Sequence, residues 1–500
     1  MTVRSERLRL RALVLTATLV GCGGDDVAAT ASADASTGNT TGDGSSSGEV
    51  GSSSGDATAS SGDSSGIAPP QGECGNGVLE LGEDCDDGKD GDPDDGCTDL
   101  CQLPRCGDGL LQTSLGEQCD VGDVAADHCT AGCRAGLVRG WIDVLGTADG
   151  GDDEARGVAL DADGNVVAVG RIDDVEGNGF DVWVRKYDPS GTVLWTTGFD
   201  SGVSSSFDRA YAVAVCEDGR IIVGGEAPVL GQGSDALVLS FEADGTPGWT
   251  ATHQGAGGFD DGVYGVACAG QTVLVAGYEF AADDVPASGW YSALDLADGA
   301  EQWNGAVVSG PSDFAFVAGV AAGPAGEWAL SGITDDDNWI RVLESDGTQR
   351  WEQTFDAIAD ADDVASAVAF TPDGDVLVAG SNTHAYVRRL GGADGSALWS
   401  GVYAGSEGDG AAVAATDDGL VVLVGGLQST GTSGETPVMF GIDADAGGLL
   451  WTQLVFDGGV TGAASAVAAG PAGAVAVAGD HTPHAFDGTD LWVARYAPSR

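Results

Sequence analysis

The sequence predicts an all-β protein, a seven-bladed β-propeller closed by an N-terminal strand and preceded by a small disulfide-rich region and a disordered tether. Three observations carry this reading. A strand-turn-strand segment recurs seven times; a tryptophan-bearing strand also recurs seven times but starts one element too early; and the first 135 residues divide into a polar stretch and a cysteine-dense one. Repetition at a period near 50 residues marks a repeat architecture and outranks any local reading.

The 500 residues carry 20 Lys and Arg against 78 Asp and Glu, a formal net charge of -58. That balance excludes a nucleic-acid partner, because phosphate contacts need clustered basic side chains. Divalent cations suit it better, since calcium takes hard carboxylate oxygens. Residues 1–21 read as an export signal: Arg4, Arg7, Arg9 and Arg11 precede the apolar run ALVLTATLV at 12–20, which is too short to span a bilayer. The segment LVGC at 19–22 resembles the bacterial lipobox. The resemblance implies that Cys22 is diacylated and becomes the mature N-terminus, with enough acyl chains for stable membrane attachment. By the sorting rule of that family, Gly23 after the cysteine implies the outer membrane.

Residues 22–71 hold the lipidated cysteine and a stretch of nearly pure Ser, Gly, Thr, Ala and Asp. It cannot bury enough apolar surface to offset its chain entropy, so a flexible tether is expected. Its reach would be roughly 35 to 40 Å, enough to hold a folded body clear of a membrane.

Residues 72–135 carry eight cysteines in two similar units, Cys74, Cys85, Cys97 and Cys101, then Cys106, Cys119, Cys129 and Cys133. Behind an export signal, units this small read as a disulfide framework, with three connectivities open within each. Neither unit has the CxxC pair that zinc would favour. The pattern C-G-[ND]-G, G-E-x-C-D, C-T-x-x-C resembles the cysteine-rich repeat of myxobacterial surface and secreted proteins. In the first unit Asp86, Asp87, Asp90, Asp92, Asp94 and Asp95 could wrap a calcium ion. The other reading of these residues is a solvated acidic turn.

From residue 136 to 500 the repeats take over. The copies begin GVALDADG (Gly157), AVAVCEDG (Ala212), GVACAG (Gly265), GVAAGPAG (Gly319), AVAFTPDG (Ala367), AVAATDDG (Ala412) and AVAAGPAG (Ala466). A third strand of period-two alternation follows each, as in DVWVRKYDPSG and DNWIRVLESDG. The fourth strand carries Trp141, Trp195, Trp249, Trp303, Trp351, Trp399 or Trp451, at spacings of 54, 54, 54, 48, 48 and 52. The first tryptophan strand precedes the first complete copy, and none follows the seventh copy. The orphan RGWIDVLG at 139–146 is therefore expected to complete the last blade, which removes an open sheet edge. The repeats resemble the β-propeller repeat of bacterial secreted proteins; TPVMFGIDADAGGLLW, in the sixth copy, departs most.

In such a ring the first-to-second and third-to-fourth turns share one face. Here they are uniform, as in DADG, TPDG and DPSG, the chemistry of tight hairpins. The loops expected on the other face are long and varied, so the working surface is placed there. Asp153, Asp208, Asp261 and Asp363 hold the same offset before their first strands, either as a ring for a cation or sugar-rich ligand or as caps of their own turns. His384, His481 and His484 fall on the same face. Trp183, Trp339 and Trp492 recur in third strands and are expected to pack between blades. Cys216 and Cys268 are read first as two buried thiols, since neighbouring inner strands need not come within disulfide reach, with a disulfide between them as the second reading.

ALDLADGAEQW (293–303) and GIDADAGGLLW (441–451) resemble the docking motifs of quinoprotein propellers. Those typically have eight blades, and many have an adjacent Cys-Cys pair; this chain has seven repeats and no Cys-Cys. It also has no GxSxG elbow and no HExxH motif. The expectation is a monomeric, non-enzymatic lipoprotein anchored to the outer membrane, on the cell surface, with no certain cofactor except calcium as a candidate. Its propeller would recognise a protein or glycan partner. A periplasm-facing assembly scaffold is the first alternative, and a quinone- or metal-dependent propeller enzyme the second.

Overall fold

A computed structural model describes residues 75–80, 83–86, 88, 97, 98, 101–103, 136–146, 151–173, 179–203, 206–255, 258–280, 288–307, 314–335, 337–355, 364–381, 384–403, 408–428, 435–456, 460–482 and 488–498. The export signal, Cys22 and the tether lie outside them. Two compact units divide the chain, residues 1–73 with 79–82 and residues 74–78 with 83–500. Of the first, only Leu79 and Glu80 are described, both exposed.

Alternating Val, Ile, Tyr and Trp favour half-buried strands, and the described residues of the second unit form seven antiparallel four-stranded blades, with the two-residue strand Ser206–Phe207 added in parallel beside Gly179–Phe180 of blade 1. Blade 1 comprises Glu154–Leu160, Val166–Asp173, Gly179–Tyr187 and Val193–Phe199. Blade 2 comprises Arg209–Val215, Ile221–Pro228, Ser234–Phe241 and Pro247–His253. Blade 3 comprises Asp261–Ala269, Thr272–Glu279, Ser288–Asp295 and Glu301–Val307. Blade 4 comprises Ala315–Ala322, Trp328–Thr334, Asp337–Leu343 and Gln349–Phe355. Blade 5 comprises Val364–Phe370, Val376–Ser381, Ala385–Leu390 and Ala397–Val402. Blade 6 comprises Gly408–Ala415, Leu420–Gln428, Glu435–Asp443 and Leu449–Leu454.

Blade 7 takes Thr461–Ala469, Val475–Thr482 and Asp490–Pro498 from the C-terminal side and Leu137–Leu145 as its outer strand. The pairing is antiparallel, with Leu137 opposite Pro498 and Leu145 opposite Leu491. The orphan strand thus closes the ring as the repeat count requires. Each first strand packs on the first and second strands of the preceding blade, blade 1 on blade 7 included.

The apolar core is distributed around the ring. Seven clusters of buried side chains lie one at each junction between blades. Trp183, Trp339 and Trp492, at 3%, 1% and 0% exposure, each pack against the preceding blade, the inter-blade role expected of them.

The fourth-strand tryptophans do something more specific. Trp141, Trp195, Trp249, Trp351 and Trp399 donate their indole N–H groups to carbonyls in the third-to-fourth turn of the next blade, at 2.7 to 3.2 Å. In the same turns Gly191, Gly245, Gly299, Gly395 and Gly447, with Gly347 opposite Trp303, hold φ between +69° and +88°. A Cβ at any of the six would come within 2.6 to 3.0 Å of an indole carbon. Glycine is required there twice over, for the left-handed backbone and for the close approach.

Disulfides partly follow expectation. Cys85 bonds Cys97 with Cα atoms 5.8 Å apart, and Cys101 is also disulfide-bonded. Cys74, Cys106, Cys119, Cys129 and Cys133 lie outside the described residues. The expectation of free thiols at Cys216 and Cys268 is corrected: they form a disulfide with Cα atoms 5.3 Å apart. The first strands of blades 2 and 3 pack directly together, closer than sequence register suggested.

Deleting residues 137–145 would leave Asp490–Pro498 as an open edge; we expect aggregates or a strongly lowered melting temperature, read by size-exclusion chromatography and calorimetry. Replacing both Cys216 and Cys268 with Ala frees a bridge of sequence separation 52. The expected loss is about 2 to 4 kcal/mol, measured by guanidinium denaturation.

Candidate functional site

Every first strand breaks register near its start. A β-bulge of this kind leaves a residue unpaired and re-aims its side chain. The residues at the break are Arg156, Tyr211, Tyr264, Ala318, Ser366, Ala411 and Ser465 in blades 1 to 7. All seven are partly accessible although they sit on the innermost strands, so the solvent that reaches them is that of the central channel. Blades 1 to 3 present large polar side chains there, and blades 4 to 7 only Ala or Ser.

Around the three large residues the strand starts of blades 1 to 3 build a polar and aromatic cluster. Glu154 accepts from Arg156 Nε and Nη2 at 2.9 and 2.7 Å and from Arg171 Nη2 at 2.7 Å. One blade on, Glu226 accepts from Arg209 Nη1 at 3.2 Å, Tyr211 Oη at 2.9 Å and Tyr278 Oη at 3.0 Å. Ring centroids connect Tyr211 to Tyr264 at 4.8 Å, and Tyr264 to Tyr278 at 5.2 Å and to Phe316 of blade 4 at 6.3 Å. Towards the rim, Phe180 stacks on Phe207 at 5.3 Å, with Arg171 over the first ring and Arg209 over the second. First strands start and second strands end here, so the cluster lies at the channel mouth on the variable-loop face.

Burial would raise the Glu154 pKa, but the guanidiniums of Arg156 and Arg171 outweigh it and hold the carboxyl below its usual range. For Glu226 burial wins over Arg209 and the two phenols, and its pKa is raised. Burial, reinforced by the Glu226 charge, lifts Tyr211 and Tyr278 well above an ordinary phenol. The two glutamates are 4% and 5% exposed and act as orienting groups for the arginines and tyrosines. Breaking one of these pairs would leave a charge buried and uncompensated.

The aspartates anticipated at this face have a different task. Asp153, Asp208 and Asp261 are fully buried. Asp153 accepts from the Asp173 N–H at 2.8 Å, Asp208 from Ser201 N and Oγ at 3.0 and 2.9 Å, and Asp261 from Gly255 and Phe280 N–H at 2.6 and 3.2 Å. Through these bonds the three aspartates latch inter-blade segments to nearby backbone. Asp363 lies outside the described residues, as does His484. His481 is 7% exposed and stacks on Phe456 at 4.8 Å, with burial lowering its pKa. His384 is half-buried.

Of the calcium candidates only Asp86 is described. Its carboxylate accepts backbone N–H groups of Gly75, Asn76, Gly77 and Gly88 at 2.8 to 3.2 Å, so it organises the turn. These bonds pull its pKa down against the effect of burial. Asp87, Asp90, Asp92, Asp94 and Asp95 lie outside the described residues. Among the described residues Asp181, Asp200 and Asp208 bring carboxylate oxygens within 4.8 Å of one another.

The channel cluster was missed at the level of sequence. No family model matches the chain.

Burial, only partly offset by its hydrogen bonds, raises Asp261 to about 6. Between the unfolded value near 3.8 and about 6 the folded state therefore holds more protons, and stability falls as pH rises through that window. Unfolding midpoints measured from pH 4.5 to 7.5 should decline. Asp261→Asn should be less stable at the acid end, through loss of a backbone acceptor, and show a shallower decline.

Proposed function

We propose that the protein is a lipid-anchored cell-envelope protein, displayed on the outer-membrane surface, whose propeller is a recognition module. The observation that carries the recognition reading is the asymmetry of the ring. One end is taken up by indole-glycine contacts that hold blade to blade. The other end collects guanidinium, phenol and aromatic groups around the channel mouth. A rigid scaffold presenting such groups suits binding, although a propeller by itself fixes no activity. Both buried glutamates spend their oxygens on donors of the protein itself, which favours holding a ligand over transferring a proton to one.

Anchoring and display rest on the sequence: the basic and apolar leader, Cys22 in LVGC, and a polar tether of the length that would hold the propeller off a membrane. Protease shaving of intact cells, with immunodetection of the propeller and a periplasmic marker, tests them. Release of the propeller with the marker intact is expected. Protection until the outer membrane is permeabilised would replace surface display with the periplasm-facing scaffold.

A further inference from the structure

The channel is lopsided. At the level of the bulges, blades 1 to 3 reach inward with Arg156, Tyr211 and Tyr264, while the four remaining blades offer only a methyl or hydroxymethyl group. At this level the side of the channel opposite the large side chains is therefore lined by small ones. Their partners hold them in place from behind: Glu154 fixes Arg156, and Glu226 fixes Tyr211. A preorganised set of this kind loses little side-chain freedom when it binds.

Charge decides what the channel can take. Arg156 and Arg171 are paired with Glu154 and Arg209 with Glu226, the Asp480 charge also acts on Arg156, and Asp181 and Asp208, next in sequence to Phe180 and Phe207, add further carboxylates. A cation would meet three guanidiniums and an anion at least as many carboxylates, and an anion would also approach through the field of a chain carrying -58. Either would leave an uncompensated charge in a half-buried site, which is costly. A neutral ligand incurs no such penalty. To satisfy guanidinium donors, carboxylate acceptors and phenols together it needs groups that both donate and accept, which hydroxyls do. To cover the Tyr211 and Tyr264 rings and the half-exposed Phe207 at the rim, it also needs apolar faces. Saccharides combine the two.

Resting on the recognition reading above, we propose that the channel mouth of blades 1 to 3 binds a neutral oligosaccharide, seated on Tyr211 and Tyr264 and hydrogen-bonded by Arg156.

The test is an array of neutral and uronate-bearing oligosaccharides probed with the purified full chain, followed by calorimetric titration of the best neutral hit. Binding to at least one neutral glycan is expected. Tyr264→Ala should weaken it tenfold or more, and Ser366→Tyr, which puts a large side chain on the small-residue side of the channel, should do the same; thermal melts confirm that both variants are folded. No binding across the array, or binding to uronates alone, overturns the proposal. Neutral-glycan binding that both folded variants retain, but that Leu230→Asp on the exposed blade 2 loop abolishes, also overturns the channel site. That last outcome would leave the recognition face itself standing.

Discussion

The contact between a fourth-strand indole and a glycine turn of the next blade is the constraint on which the ring depends. It joins blades whose four-stranded ladders are separate from one another. It also explains a sequence regularity that looks trivial. The glycine closing each third-to-fourth turn is fixed by a neighbour some 50 residues upstream as much as by its own backbone conformation. Six such contacts commit one end of the ring to holding itself together and leave the other free to vary. Trp451 is the exception that closure produces. Where its turn should be, blade 7 has Pro498 and Leu137 from two separate segments, and its indole N–H finds no acceptor among the described residues.

Much of the fold was legible because repetition multiplies weak signals. One alternating strand is ambiguous, but seven in register, with seven tryptophans offset by one element, determine blade number and closure together. The site was far less legible. The residues at the bulges occupy the column just before the repeated GVA or AVA, and it reads Arg, Tyr, Tyr, Ala, Ser, Ala, Ser around the ring. The variation was visible, but a bulge reverses the alternation of inward and outward side chains. Parity counted from the regular part of the strand therefore places the column wrongly.

The aspartates show the converse error. Asp153, Asp208 and Asp261 were conspicuous because they recur, and each of them takes up backbone N–H groups near the start of its blade. Recurrence in a repeat protein marks structure; departure from recurrence marks what distinguishes one blade from another. Cys216 and Cys268 escaped for a further reason: the distance between first strands of adjacent blades is set by ring curvature, which no local pattern encodes.

Blade 7 has a mechanical consequence. The strand Leu137–Leu145 is the first strand of the ring in chain order, so tension arriving along the chain from that side falls on its pairing with Asp490–Pro498 before any other part of the ring. It enters at Leu137, where the neighbouring turn contact is missing. Under load the closure would act as the ring's fuse: one strand peels away while the six other blades, each made from a single run of chain, keep their own ladders.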